Sequence, residues 1–117
     1  MSERLDYRLE VRFYRNPAGS EPVREWLAGL SKSDRRAVGE DIKTVQLGWP
    51  LGMPLVRKLE PGLWEVRVRL SNGIARVLFT CVASTMVLLH ALVKKSQRLP
   101  KSDLDLARQR MKETSHG

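Results

Sequence analysis

Residues 63–79, LWEVRVRLSNGIARVLF, alternate apolar and charged side chains on either side of a turn, Ser71-Asn72-Gly73. A period of two is the strand period, and two such runs joined at an Asn-Gly pair are the strongest short-range signal for a β-hairpin. The chain must therefore build an antiparallel sheet. One face takes Trp64, Val66, Val68, Leu70, Ala75, Val77 and Phe79, and the other takes Glu65, Arg67, Arg69, Ile74, Arg76 and Leu78. With Asn72 and Gly73 at the centre of a type I′ turn, Ser71 pairs with Ile74. The expected register then sets Arg69 opposite Arg76, Val68 opposite Val77, Arg67 opposite Leu78 and Val66 opposite Phe79. Directly opposed arginines repel, and arginine keeps its charge at any ordinary pH. Glu65 offsets part of that repulsion. The second face is then either a solvated surface whose long side chains splay into water or a site for an anionic ligand.

The rest of the chain supplies partners for this hairpin. In YRLEVRFY, residues 7–14, Leu9, Val11 and Phe13 alternate with Arg8, Glu10 and Arg12, the half-buried strand pattern. NPAGSEP breaks that strand, and Ser20 as N-cap with Pro22 in the first turn predicts a helix carrying the stripe Val23, Trp26, Leu27 and Leu30. A second helix begins at Ser31 or Ser33 and runs to about Gly48, with Val38, Ile42, Val45 and Trp49 on one face. GWPLGMP cannot continue it. VRKLEPG is a short extended segment leading into the hairpin. TMVLLHALV, residues 85–93, is apolar on both faces apart from His90 and reads as a central strand covered on both sides. A short last helix is expected after a Ser102/Asp105 capping box, with Leu104, Ala107 and Met111 as its stripe. The order strand, helix, helix, strand, strand, strand, helix predicts an α+β fold with a twisted, mainly antiparallel sheet.

A length of 117 residues suits one domain, spanning 1–117, and 42% hydrophobic content is enough for its core. Lysine and arginine outnumber aspartate and glutamate by 21 to 13, a net charge of +8, which favours phosphate polymers, anionic surfaces or an acidic protein as partner. Cys81 is the single cysteine, so no intramolecular disulfide forms and a reducing cytoplasm is the expected location. No apolar run approaches the roughly 18 residues of a membrane span, and the first ten residues lack a signal peptide's apolar region.

No phosphate-binding loop, dinucleotide fingerprint, cysteine pair or nucleophile-elbow serine is present, and His90 and His116 do not make a metal site, so no cofactor and no metal are expected. What remains is cationic. Arg57 and Lys58 precede the hairpin, Arg67, Arg69 and Arg76 lie in it, and Lys94, Lys95 and Arg98 follow the central strand. Converging on one sheet face, they suit a phosphodiester. RNA carries its own nucleophile in the 2′-hydroxyl, so a protein need only orient the backbone, move protons and stabilise the charged transition state. Arginine forks hold phosphoryl oxygens, and a lysine among cations is acidified toward neutrality. Strand-end lysines reaching water and a hydrogen-bonded core His90 are the plainer alternatives. Trp26, Trp49 and Trp64 fall on apolar stripes and belong to the core rather than to base stacking.

KLEPGLWEVRVRLSNGIARVLF, followed by LLHALVKKSQRLPKSDLDLARQRM, resembles the phage-derived Gp49-like branch of the HigB toxins, in the RelE/ParE superfamily of type II toxin–antitoxin systems. The likeness extends over SEPVREWLAGL and GWPLGMPLVRKL. It implies a RelE-like fold, with two N-terminal helices on the sheet and a short C-terminal one. The implied activity is a metal-independent endoribonuclease, an mRNA interferase that cuts mRNA in the 30S A site and is neutralised by a cognate helix-turn-helix antitoxin. The resemblance further implies catalytic roles for Arg76, Arg67, Lys95 and Lys58, with Arg69, Arg57, Lys94, Arg98, Glu65 and His90 around the substrate. Where relatives carry a tyrosine after Lys95 this chain has none, so Lys58, Lys95, Glu65 and His90 are the candidates for general base and acid. Two other functions fit a basic face of this kind: a noncatalytic ParE-like inhibitor of DNA gyrase, and a basic nucleic-acid-binding accessory protein.

Overall fold

The computed structural model describes residues 7–94 and 98–116, with side chains described as far as Thr114. In chain order it contains β1 (Glu10–Phe13), α1 (Pro22–Ala28), α2 (Lys32–Gly48), β2 (Val56–Glu60), β3 (Leu63–Leu70), β4 (Gly73–Val82), β5 (Thr85–Lys94) and α3 (Lys101–His116). Three helices thus accompany one five-stranded sheet of order β1-β5-β4-β3-β2. Every neighbouring pair is antiparallel except β1 with β5. The segment at 56–60 is a full edge strand rather than a mere lead-in. The 85–93 run is interior as expected, although β4 holds the centre. Among the described residues no helix is long and apolar enough to cross a membrane.

Helix α2 starts where Ser31 accepts a hydrogen bond from the Asp34 amide at 3.2 Å. Helix α1 begins without a side-chain cap: Glu21 holds the N-cap position, with Pro22 first in the helix. Ser20 is drawn off, because its amide donates to Asn16 Oδ1 and its carbonyl accepts from the Asn16 amide, closing the NPAGS loop. The end of α1 is capped from α2 by Arg35, whose guanidinium donates to the carbonyls of Leu27, Ala28 and Leu30. A cation on those carbonyls also meets the negative end of the helix dipole. Together these contacts fix the helix pair.

That pair packs on the first sheet face. Val38 and Val45 from α2 join Val66, Val77, Phe79 and Met86 there, all fully buried. Trp49 and Trp64 lie at 5.1 Å edge to face, and each contacts Phe79, at 5.5 and 5.8 Å. The three tryptophans are core residues, as their stripes predict. Pairs of this geometry add about 0.5–1.5 kcal/mol each beyond simple burial.

The second face is where expectation and structure part. It is a second core for most of its length, built from Leu63, Leu78, Val87, Leu89 and Leu92 under Ala107, with Leu104 and Met111 of α3 beside them. Helix α3 is correspondingly not short: it has 16 residues. It begins one residue before Ser102, with the Pro100 carbonyl accepting from the Asp103 and Leu104 amides in place of a capping box. The long cover is needed because β4 and β5 carry large apolar residues on this face too, and an uncovered Leu78, Leu89 and Leu92 would forfeit about 1.5–3 kcal/mol apiece.

The hairpin register is also displaced. Ser71 and Asn72 form the loop and Gly73 closes it opposite Leu70, so Arg67 faces Arg76 and Arg69 faces Ile74. Neither Ser71 nor Asn72 takes a positive φ, as a type I′ turn would require, whereas Gly73 sits at +154°. A Cβ at Gly73 would approach Val93 to 3.2 Å. Glycine serves here as the close-packed exit of the turn rather than as its centre.

Candidate functional site

Strand register lays the second face out as a grid. One row across β3, β4 and β5 reads Arg69, Ile74, Lys94; the next reads Arg67, Arg76, Leu92; the next reads Glu65, Leu78, His90, with Arg57 of β2 beside Glu65. Exposure falls along the same direction. Arg69 and Lys94 are exposed, Arg67 is 18% exposed, and Arg76 and Glu65 are completely buried. The hairpin end of this face is open to water, and two residues further on it is core.

At that boundary the Glu65 carboxylate lies 3.6 Å from Arg76 Nη1 and 3.9 Å from Arg67 Nε, and its two oxygens accept no hydrogen bond. Two cations thus share one buried anion at ion-pair distance. Burying a charge is costly unless it is compensated, and each member of the trio supplies part of what the others need. The anion that offsets the opposed arginines is internal to the fold.

Arg67 and Arg69 then open into a groove of about 420 Å³, lined further by Ile74, Pro54, Leu55 and Asp41. The Pro-rich loop between α2 and β2 is held at this edge by the Arg67 amide, which donates to the Leu55 carbonyl at 2.9 Å. Asp41 reaches the groove from α2. It lies between Val38 and Val45 in sequence, on the flank of the buried stripe. Burial, and secondarily the neighbouring Glu40, push its carboxyl above the usual carboxylate range. The groove is large enough for a small ligand. Its lining brings together two arginines, whose forks suit phosphoryl oxygens, and one carboxylate.

The remaining predicted site residues are dispersed. Arg57 is exposed on the same face but on the edge strand. Lys58 pairs with Trp64, and the strand period places it on the face that carries α1 and α2, away from the arginine rows. Lys94 and Arg98 are exposed. Lys95 lies outside the described residues. His90 is half-buried, with Nε2 at 2.7 Å from Asp103 Oδ1 in the first turn of α3. Asp41 and Asp103 were not singled out by the sequence. Both are helix residues whose surroundings come from elsewhere in the chain: Asp41 lines the groove, and Asp103 meets His90.

A family model described as phage-derived protein Gp49-like matches residues 25–112. That span takes in the groove, the buried charges behind it and most of α3. The family is associated with toxin-type proteins. No curated protein matches the chain significantly.

Proposed function

We propose that this chain, which belongs to the phage-derived Gp49-like family, is the toxin of a type II toxin–antitoxin pair and a ribosome-dependent mRNA endonuclease. The observation that carries the reading is the pair Arg67 and Arg69 in one open groove, backed by the buried Glu65 and Arg76. The arginine forks take the oxygens of the scissile phosphodiester and the 2′-hydroxyl attacks the phosphorus. The negative charge that develops on the phosphorus oxygens is met by donors already in place, which is where electrostatic catalysis gains most. Arg76, being fully buried, acts through position rather than contact: with Glu65 it fixes the guanidinium of Arg67. A cognate helix-turn-helix antitoxin is the partner that would cover the groove, and the 30S A site presents the mRNA.

The test is cleavage of mRNA on programmed ribosomes, mapped by primer extension, for the natural protein and for Arg67→Gln and Arg69→Gln. These variants change a half-buried and an exposed arginine and spare the buried pair. The natural protein should cut, and each variant should lose about 10²–10³-fold in rate, the usual cost of removing one charge-stabilising donor. Intact message with the natural protein, alongside growth arrest on expression, would refute nuclease action and favour inhibition of gyrase or simple binding.

A further inference from the structure

We propose that Asp41 is the general base of this groove, the group that takes the 2′-hydroxyl proton of the RNA. The inference rests on the nuclease reading above and assigns the one role that the arginines cannot fill. A base must face the reacting phosphate, must be able to accept a proton, and must not already be committed to a structural partner.

Asp41 meets each condition. It lines the same groove as Arg67 and Arg69. Its carboxylate makes no hydrogen bond or ion pair within the described residues, unlike Glu65, Asp103 and Glu113, each of which is engaged. Among the described residues, the charged groups beside it are Glu40 on its own helix and Arg67 and Arg69 in the groove lining. Burial, and secondarily Glu40, raise its proton affinity above that of an ordinary aspartate, which suits a base better than a fully solvated carboxylate. The competing candidates are less well placed. Lys58 does not line the groove, Glu65 is sealed behind Arg67, and His90 is held by Asp103.

The step balances without water or metal as reactant. Asp41 removes the 2′-hydroxyl proton as the 2′-oxygen bonds to phosphorus and the bond from phosphorus to the 5′-oxygen breaks. The departing 5′-oxygen takes a proton from solvent and Asp41 returns its own to solvent. The products are a 2′,3′-cyclic phosphate and a 5′-hydroxyl end.

The experiment measures kcat, KM and their pH dependence on programmed ribosomes for the natural protein, Asp41→Asn and Asp41→Glu, with thermal melts of all three. Asp41→Asn should lower kcat by about 10²–10⁴-fold with KM nearly unchanged. Its residual rate should lose the acid limb of the pH profile, along which the natural protein slows as its base takes a proton. Asp41→Glu should recover part of the rate and keep the limb. The Asn variant should melt no lower than the natural protein, since it removes a partly buried charge that favours the protonated form. Undiminished cleavage by Asp41→Asn, or a loss confined to KM, would overturn the assignment while leaving the nuclease reading intact. A natural protein that does not cut would overturn both.

Discussion

Glu65→Gln tests the internal ion trio directly. Glutamine keeps the side-chain length and removes the charge that lies 3.6 Å from Arg76 and 3.9 Å from Arg67. Removing one partner of a buried pair costs ~3–5 kcal/mol, because the other charge stays buried. Arg67 is 18% exposed and recovers part of its share from water, which sets the expected loss near the lower bound, about 3 kcal/mol. Domains are stable by only ~5–15 kcal/mol, so the variant folds but weakly. At roughly 4 °C per kcal/mol for a domain of this size, its melting midpoint falls by about 12 °C. Urea unfolding gives an independent reading: with a slope near 1.5 kcal/mol/M, the midpoint drops by about 2 M at unchanged slope. The double variant Glu65→Gln with Arg76→Met should be more stable than Glu65→Gln alone, since the buried cation leaves with its partner. A loss under about 1 kcal/mol in the single variant, with no recovery in the double, would show that water reaches this pair and that its burial is not what constrains it.

Two further outcomes follow from the packing. Phe79→Ala removes the ring that both Trp49 and Trp64 touch at a fully buried position; it should cost about 3–5 kcal/mol, measured by urea unfolding with tryptophan fluorescence. Tyr14 donates its hydroxyl to Glu113 and ties β1 to the last turns of α3. Burial, then that bond and the Glu113 charge, raise the phenol above its usual pKa, with Arg110 opposing. Because the folded pKa is the higher one, the stability of the neutral phenol is complete below pH ~10 and is lost as pH rises through the folded value. Tyr14→Phe should therefore cost about 1 kcal/mol at pH 7 and show a shallower decline of the melting midpoint above pH 10 than the natural protein.

The faces of the hairpin were legible because the side-chain period is two. The displacement of the register, from Arg69 opposite Arg76 to Arg67 opposite Arg76, is itself two residues, so every residue stayed on its assigned face while its cross-strand partner changed. Turn chemistry misled because Asn-Gly fits the centre of a primed turn so well. Here the close approach of Val93 made glycine the better exit residue instead. The second core was half visible. TMVLLHALV is apolar on both faces and LxxAxxxM in the last helix is a stripe in want of a surface, but only the tertiary arrangement shows that one covers the other. Asp41 was invisible for the opposite reason: on a helix it reads as one more carboxylate beside an apolar stripe, and its meaning comes from the edge of a sheet reached some twenty-five residues later.

Burial of Arg76 and Glu65 also bears on what the trio is for. As a device for stability it is poor, since two apolar residues of similar volume would hold this spot as well or better. Such residues would remove the carboxylate that lies 3.9 Å from Arg67 Nε. A sealed carboxylate flanked by a sealed arginine supplies a fixed dipole whose open end is the guanidinium of Arg67, at the one row of the sheet where the face passes from core to water. That boundary row is also where an oxyanion gains most from a cation. Shielding from solvent strengthens the attraction there, and the donor need not reorganise as charge develops. The trio thus fixes a cation at the row where this face opens to water.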